Sequence, residues 1–224
     1  MTGFSFDVVG FDLDGTLLDT SGDLAAAVNH ALVSAGRPTL SVEAVRPMIG
    51  GGSRHMLAQG MRATGGCSEG ELEVLQRRLL AFYEANIAVH TRPFAGATAA
   101  IDALADRGVR LGVMTNKYER LAREVLGKLG LLDRFAAVVG GDTLGPGTGK
   151  PKPDAIVEMV RRCGGGRAAF VGDSAYDVAG ARAAGLPVVA VSFGFLAQPV
   201  EELGADAVID HFHELIPVLA GLAR

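Results

Sequence analysis

The chain of 224 residues is 49% hydrophobic and carries a formal net charge of −4, so it is long enough to bury a core in one large domain or two unequal ones. It contains no Lys/Arg-rich run, which argues against a nucleic-acid partner, and no apolar run near the ~18 residues that cross a bilayer, which argues against a membrane protein. Its two cysteines, Cys67 and Cys163, are isolated and its amino-terminal segment lacks basic residues, so we expect a cytoplasmic protein with reduced thiols.

Six short apolar runs are predicted to form β-strands, and they lie at residues 6–12, 110–115, 136–141, 168–173, 187–193 and 207–210. Their continuous Val, Ala and Phe content is typical of strands buried on both faces, as in a parallel sheet. Ala/Leu-rich segments with helical periodicity, ending near Gly, lie at residues 96–107, 119–129, 153–163 and 175–184. This alternation predicts an α/β fold, a doubly wound parallel sheet with a Rossmann-like core.

The connection between the first two predicted strands is too long for a single crossover or a structureless loop. A helical stripe with i, i+4, i+7, i+8 spacing is formed by Leu24, Val28, Ala31 and Leu32. A second stripe follows a capping-box pair, Ser68 and Glu71, and consists of Leu72, Leu75, Leu79 and Phe82. We therefore expect residues 18–90 to form an inserted helical cap, and residues 1–17 and 91–224 to form the α/β core.

Two carboxylates follow the first predicted strand in the sequence FDLDGT. Asp12 and Asp14 are two residues apart, so both point to one side while the chain stays extended. Neighbouring carboxylates repel each other unless a cation lies between them, and a set of oxygen ligands favours Mg²⁺. Gly15 lets the backbone turn and expose N–H groups, and Thr16 adds a hydroxyl, so this turn is expected to hold an anion beside the metal.

Polar residues also follow the later predicted strands. Thr115 and Asn116 can donate hydrogen bonds to phosphate oxygens, and Asp173 and Asp177 of GDSAYD, four residues apart at a helix start, can face one site. Lys150 precedes a proline in GKPKPD and is therefore presented from a stiff turn. Because ligands of open α/β sheets bind beyond the carboxyl ends of the strands, all four motifs are predicted to lie around one site.

Each motif alone also has an ordinary structural interpretation. Asp-Gly is a common turn dipeptide, and the pair Thr115-Asn116 suits a helix N-cap. Asp177 is also a favourable acid in a first helical turn. Lys152 is an alternative to Lys150 as the presented cation.

Taken together and in this order, DLDGT, TN, KPKP and GDSAYD resemble the four signature motifs of the haloacid dehalogenase-like hydrolase superfamily. The resemblance runs from residue 7 to around residue 195, and residues 18–90 resemble the helical cap of that superfamily. Within the superfamily, the segments VMTNK, VGGDTL and FVGDSAYDVAGARAAGLPVVAVSFGF are most similar to the phosphoglycolate phosphatase family.

This resemblance implies a magnesium-dependent phosphomonoester hydrolase whose partner is a small anionic phosphorylated metabolite such as 2-phosphoglycolate. Asp12 would be the nucleophile that forms an aspartyl-phosphate, and Asp14 would be the general acid and base. Mg²⁺ would be held by Asp12, the backbone carbonyl of Asp14 and Asp173, with Asp177 in support. The transferring phosphoryl group would be bound by Thr115, Asn116 and Lys150, since the family pattern Lys-Pro-x-Pro selects Lys150.

Other functions are compatible with the same motifs. Within the superfamily, the alternatives are another sugar-phosphate phosphatase or a phosphomutase, whereas a dehalogenase is disfavoured because it does not need metal- and phosphate-binding acids. From another class, a signalling receiver domain also uses a phospho-accepting Asp, Mg²⁺ and a Lys, but it does not need the helical insertion. The sequence leaves both a monomer and a homodimer open.

Selection of the leaving group is expected to come from the insertion, because the core motifs contact only the phosphoryl group and the metal. In IGGGSRH three glycines allow close backbone approach, and Arg54 and His55 follow them. Arginine can hold a carboxylate through a two-pronged contact, so Arg54 is predicted to bind the end of the substrate remote from phosphorus. The alternative is a helix N-terminus capped by Ser53, with Arg54 in solvent.

Overall fold

The computed structural model describes residues 5–222, so residues 1–4 and 223–224 of the predicted core lie outside the described part. The strands are β1 (Val8–Phe11), β2 (Leu18–Asp19), β3 (Arg92–Pro93), β4 (Arg110–Met114), β5 (Ala137–Val139), β6 (Ala168–Gly172), β7 (Val188–Val191) and β8 (Ala207–Ile209). Six of them form a sheet in the order β5-β4-β1-β6-β7-β8, and every neighbouring pair is parallel. The predicted parallel sheet is therefore confirmed.

The helices are α1 (Ser21–Ser34), α2 (Val42–Val45), α3 (Ser53–Ala63), α4 (Glu69–Ala85), α5 (Ala97–Ala105), α6 (Glu119–Lys128), α7 (Asp154–Arg162), α8 (Ala175–Ala183) and α9 (Leu215–Leu222). Short 3₁₀ turns lie at Arg46–Met48, Leu132–Arg134, Val200–Leu203 and Phe212–Glu214. Within residues 5–222, no helix combines the length and the apolar character needed to cross a membrane.

Both faces of the sheet are covered, as the sequence pattern predicts. Successive strand residues point to opposite faces, so Val8 packs in a cluster with residues of α7 and α8. Val9 packs in the other cluster, which includes residues of α5, α6 and α9. This arrangement confirms the doubly wound, Rossmann-like core.

A pair of glycines lets α7 lie close to the centre of the sheet. Gly10 of β1 is paired with Gly112 of β4, and a Cβ atom at either position would lie 2.2 Å from an atom of Met159. A side chain at either position would displace the Met159 side chain from the sheet.

Helices α1–α4 form a helical insertion between β1 and β4. It leaves and rejoins the core through β2 and β3, which pair antiparallel with Leu18 opposite Pro93. Helix α4 packs against α1 and α3, and α1 also packs against α2. The insertion is therefore a helical layer with its own packing, entered through a two-stranded ribbon that the sequence analysis did not predict.

The helix-period patterns of the insertion are confirmed in α1, while α4 shows one difference. All four predicted stripe residues of α1 are buried. In α4 the stripe continues from Leu79 to Tyr83, which is buried, whereas Phe82 is half-buried and stacks on His30 with ring centroids 4.4 Å apart. Residues four apart lie in one row on a helix, so Tyr83 rather than Phe82 extends the row of Leu79. Outside the insertion, helix α9 was not predicted.

Candidate active site

The carboxyl ends of three neighbouring strands bring the predicted motifs together. β1 lies between β4 and β6, and Phe11 of β1 is level with Val113 and Val171. The residues that follow these strands therefore emerge side by side. A cavity of about 470 Å³ opens at this edge, beneath the helical insertion, and its lining includes Asp12, Asp14, Thr115, Lys117, Arg54 and Tyr83.

Three buried carboxylates converge beside this cavity. Oxygen atoms of Asp12, Asp173 and Asp177 lie within 4.8 Å of one another. The Lys150 ammonium donates to Asp12 Oδ1 at 2.6 Å, to Asp177 Oδ1 at 2.5 Å and to the Met114 carbonyl at 3.0 Å. One ammonium group thus pairs with two of the three carboxylates, and the cluster keeps an excess of negative charge.

That excess is visible in the pKa values of the carboxyl groups. Burial, opposed by Lys150 but reinforced by Asp177, raises the pKa of Asp12 from 3.8 to about 7. Burial and then repulsion by Asp177 and Asp12 raise the pKa of Asp173 well above its usual value. Burial by itself would lower the pKa of Lys150, but the charges of Asp12 and Asp177 outweigh it and raise that pKa. Lys150 is therefore a permanent cation at the centre of the cluster.

The cluster fits a hard divalent cation. Its ligand atoms are carboxylate oxygens, the donors that Mg²⁺ prefers, and they are closer together than uncompensated charges would favour. A cation bound there would supply the positive charge that Lys150 alone does not. Asp14 was also predicted as a metal ligand, but its carboxylate is not among the three grouped oxygens, so its predicted contact would use the backbone carbonyl that the family resemblance implies.

Local hydrogen bonds hold Asp177 rigidly. Its Oδ2 accepts from the backbone N–H groups of Asp173 and Ser174, at 3.2 and 2.9 Å, and from the Ser174 hydroxyl at 2.6 Å. Its Oδ1 accepts from Lys150. Asp177 is therefore both a helix-capping acid, as the ordinary interpretation predicts, and a member of the acidic cluster.

The DLDGT turn packs directly on Asp173. Gly15 has φ of +90°, and a Cβ atom there would lie 2.3 Å from Asp173 Oδ2, so only glycine fits. The Thr16 hydroxyl is buried and donates to Asp173 Oδ1 at 3.0 Å, while the Phe195 N–H donates to Asp173 Oδ2 at 2.7 Å. Thr16, predicted as a phosphate-binding group, thus uses its hydroxyl here to orient an acid of the cluster.

Thr115 and Asn116 both line the cavity. The Thr115 Oγ1 accepts from the Lys117 N–H at 3.3 Å. The Asn116 side-chain amide donates to the Gly50 carbonyl at 2.9 Å and to the Lys150 carbonyl at 3.0 Å. The Asn116 side chain therefore ties the glycine-rich loop of the insertion to the Lys150 turn.

A buried ion pair beside the acidic cluster was missed by the sequence analysis. The Lys117 ammonium donates to Asp14 Oδ2 at 2.8 Å and lies 4.7 Å from the centre of the Tyr83 ring. Burial by itself would lower the pKa of Lys117, but Asp14 outweighs it and raises that pKa. Lys117 directly follows Thr115-Asn116 in VMTNK, and this position after a strand could have indicated that it belongs to the site. No local sequence pattern indicated that Tyr83 lies at the site.

The residues predicted to select the leaving group have other partners in this structure. The Arg54 guanidinium pairs with Glu69 and lies 3.4 Å from Gln76 Oε1, and its side chain is 41% exposed at the cavity wall. His55 is exposed and contacts Gln59. The N-cap of α3 is Gly52, not Ser53 as the alternative interpretation expected. Lys152, the rival of Lys150, is exposed.

The parallel sheet, the buried acids at its carboxyl edge and the helical insertion define a hydrolase of the haloacid dehalogenase-like type. The pattern of the haloacid dehalogenase-like hydrolases matches residues 6–185, and the chain belongs to this family, which confirms the predicted superfamily. The chain is 39% identical to a phosphoglycolate phosphatase from Agrobacterium fabrum, and the alignment covers 93% of this chain and 90% of that protein. It is 41% identical to a phosphoglycolate phosphatase from Caulobacter vibrioides, with 91% of this chain and 86% of that protein covered.

Solved structures agree with these sequence relatives. The fold is similar to that of a predicted phosphoglycolate phosphatase from Haemophilus somnus, with a TM-score of 0.88 and 27% identity over 96% of this chain and 98% of that one. The predicted similarity to phosphoglycolate phosphatases is thereby confirmed.

Proposed function

We propose that this phosphoric monoester hydrolase removes the phosphate group from 2-phosphoglycolate, using Mg²⁺ and an aspartyl-phosphate intermediate. The observation that carries the proposal is the convergence of Asp12, Asp173 and Asp177 at the carboxyl edge of the sheet, with Lys150 paired to Asp12 and Asp177. The substrate is inferred from the relatives named as phosphoglycolate phosphatases, which match most of the chain at 39–41% identity.

In the first step an Asp12 carboxylate oxygen attacks phosphorus, and the bond from phosphorus to the ester oxygen breaks. Asp14, at the cavity wall beside Asp12, gives its proton to the departing ester oxygen, so glycolate leaves as the alcohol. Lys150 restrains the Asp12 carboxylate through its Oδ1. When bound, Mg²⁺ would supply positive charge that keeps the clustered carboxylates ionised and offsets the charge of the phosphoryl group.

In the second step a water molecule attacks the phosphorus of the aspartyl-phosphate. Asp14 takes the proton of this water, phosphate leaves, and Asp12 is restored as a carboxylate. Donors facing the phosphoryl group in both steps are proposed to be the Thr115 hydroxyl and backbone N–H groups of the DLDGT and Thr115-Asn116 turns. Lys150, whose three N–H groups are used on Asp12, Asp177 and the Met114 carbonyl, would contribute through its positive charge.

Residues 18–90 are proposed to act as a cap that excludes water and tests the leaving group. The cavity supports this role because its wall combines core residues with Arg54, Met56 and Tyr83 of the insertion. The Asn116 to Gly50 hydrogen bond joins the two parts beside the site.

The test is phosphate release from a panel of phosphometabolites that includes 2-phosphoglycolate and several sugar phosphates. The protein is expected to turn over 2-phosphoglycolate with the highest kcat/KM, to lose activity in excess chelator and to regain it with Mg²⁺. Calcium should restore little, because its larger and looser ligand shell would misplace the nucleophile. Product analysis separates hydrolysis from phosphoryl return to a sugar, which would indicate a mutase.

Asp12→Asn should abolish turnover, because an amide is a poor nucleophile toward phosphorus, while Asp106→Asn, at an exposed position, serves as the matched control. Near-wild-type activity in Asp12→Asn, or full activity in chelator, would contradict the mechanism. Preference for a sugar phosphate would leave the mechanism standing and overturn the substrate.

A further inference from the structure

We infer that Lys117, assisted by the Tyr83 hydroxyl, binds the carboxylate of the leaving group and thereby selects an acidic substrate. This inference rests on the proposed function, since it concerns the same site and the same substrate. It assigns the selection of the leaving group to a core residue and a buried tyrosine, instead of to Arg54.

Lys117 has the position and the free capacity that this role needs. Its side chain is 6% exposed, and it lines the cavity with Asp12 and Asp14. An ammonium group has three N–H donors, and the hydrogen bond to Asp14 Oδ2 uses one of them. In a buried site a charge–charge contact is screened less than at the surface, so a substrate anion reaching Lys117 would be bound strongly.

Lys150 shows that one ammonium group can serve two carboxylates in this protein. Its Nζ lies within 2.6 Å of both Asp12 and Asp177. Lys117 has one such carboxylate, Asp14, at 2.8 Å. A substrate carboxylate would complete an equivalent bridge at Lys117 without breaking the ion pair that is already present.

Tyr83 provides an independent sign of a missing polar group. Tyr83 lines the cavity, and its buried hydroxyl makes no hydrogen bond of ordinary geometry within residues 5–222. The polar group that interacts with this hydroxyl is the Lys117 ammonium, which is itself a donor, so the hydroxyl proton has no acceptor. Burial, opposed by the charge of Lys117, raises the pKa of Tyr83 to about 12, so the hydroxyl keeps its proton. A buried hydroxyl proton without an acceptor costs free energy, and a substrate carboxylate held between Lys117 and Tyr83 would accept its hydrogen bond.

The length of the leaving group fits this location. In 2-phosphoglycolate two single bonds of ~1.5 Å separate the ester oxygen from the carboxyl carbon, so these atoms are about 2.5 Å apart. A general acid works at about 2.6–3.2 Å from the ester oxygen. If Asp14 occupies that position, the carboxylate lies next to Asp14, where Lys117 is found.

Arg54 is less suited to the same task. Its guanidinium is already paired with Glu69, and its side chain is 41% exposed, so water and salt screen its charge. It also belongs to the wall formed by the insertion, whereas Lys117 directly contacts Asp14. Arg54 therefore serves as the matched cationic control for Lys117.

The experiment compares 2-phosphoglycolate with its primary amide, which has the same shape but no carboxylate charge. We would measure kcat and KM for both esters in the wild type and in four variants, Lys117→Met, Lys117→Arg, Tyr83→Phe and Arg54→Ala. The preference for the acid is kcat/KM for 2-phosphoglycolate divided by kcat/KM for the amide. Lys117→Met is expected to lower this preference about 10- to 100-fold, because the substrate loses a charge-assisted hydrogen bond. The change should appear mainly as a higher KM for the acid. Lys117→Arg, which keeps the charge, should retain part of the preference, and Arg54→Ala should retain most of it.

Circular dichroism and urea unfolding show whether each variant is folded, and turnover of the amide shows whether its catalytic groups still work. Tyr83→Phe, which removes only an oxygen atom, should lower the preference several-fold and provides a second test if Lys117→Met does not fold. If Lys117→Met loses kcat/KM equally for both esters, the inference is overturned. If Lys117→Met is unfolded, an unchanged preference in Tyr83→Phe overturns it. A wild type that does not prefer the acid would instead refute the proposed substrate, and the inference would fall with it.

Discussion

Removing divalent cations should make the stability of this protein fall as the pH rises from about 4 to about 7. Without a cation, Asp12, Asp173 and Asp177 lie in one buried cluster, in which the single ammonium group, Lys150, pairs with Asp12 and Asp177. An unfolded Asp loses its proton near pH 4, whereas folded Asp12 keeps its proton until the pH approaches 7. Between these values the folded state binds more protons than the unfolded state, so raising the pH favours unfolding.

The size of the effect follows from the pKa of Asp12. That pKa rises from 3.8 to about 7, with burial as the largest cause. Each pH unit between the folded and unfolded values corresponds to about 1.4 kcal/mol. Asp12 alone therefore lowers the free energy of unfolding by about 4 kcal/mol between pH 4 and pH 8, and Asp173, whose pKa is also raised, acts in the same direction.

The assay is urea unfolding in excess chelator at several pH values from 4.5 to 8 (about half a unit apart), for the wild type and Asp12→Asn. The variant lacks the titrating carboxyl, so its free energy of unfolding should depend less steeply on pH. Subtracting the two curves gives the net effect of the Asp12 carboxyl, including its effect on the pKa of Asp173, because histidines and distant acids are common to both proteins. Asp106→Asn, an exposed substitution, should follow the wild type.

Magnesium should reverse the effect where the carboxylates are ionised. Added Mg²⁺ is expected to raise the unfolding midpoint of the wild type strongly at pH 8 and weakly at pH 5, since protons and the cation compete for the same oxygens. The reasoning would be refuted if the free energy of unfolding in chelator depended on pH equally in the wild type and Asp12→Asn. It would also be refuted if the difference between the two proteins showed that Asp12 makes stability rise with pH.

Three further predictions concern the neighbouring groups. Lys150→Met should lower the free energy of unfolding in chelator by about 3–5 kcal/mol, because it leaves buried carboxylates without their cation; urea unfolding would measure this, and a loss below 1 kcal/mol would contradict it. Asp14→Asn should lower kcat about 10²–10⁴-fold for every phosphate ester tested, and a loss confined to poor leaving groups would reassign Asp14 to acid catalysis alone. Replacing residues 20–88 by a short linker should impair turnover of 2-phosphoglycolate more than that of p-nitrophenyl phosphate, whereas equal losses would show that the insertion selects nothing.

Much of the fold could be predicted because its signals are local. The six parallel strands are continuous apolar runs, and the α1 stripe has the period of a helix buried on one face. Parallel strands place their carboxyl ends at one edge, so the motifs that follow them were predicted to meet. The ribbon of β2 and β3 was missed because two-residue strands leave no periodicity to detect.

Residue type and position after a strand also indicated the acidic cluster. Asp12 and Asp173 are carboxylates that directly follow buried strands, Asp177 lies in the first turn of the next helix, and the oxygens of all three do converge. The direction of each hydrogen bond could not be predicted in the same way. The Thr16 hydroxyl is used on Asp173, and the Asn116 amide on two backbone carbonyls, because these choices depend on which groups come within reach after packing.

The sequence by itself determined the α/β class, the order of motifs along the sheet edge and the chemical character of the site, since each depends on residue types and short-range periodicity. Only the tertiary structure decided which side chains share a proton, a charge or a cavity wall. Lys117 and Asp14 are 103 positions apart in the chain, and Tyr83 belongs to a helix of the insertion. The parallel pairing of β1 with β4 brings Asp14 and Lys117 together, and the packing of the insertion over the sheet brings Tyr83 to them. Both are long-range arrangements that no local pattern encodes.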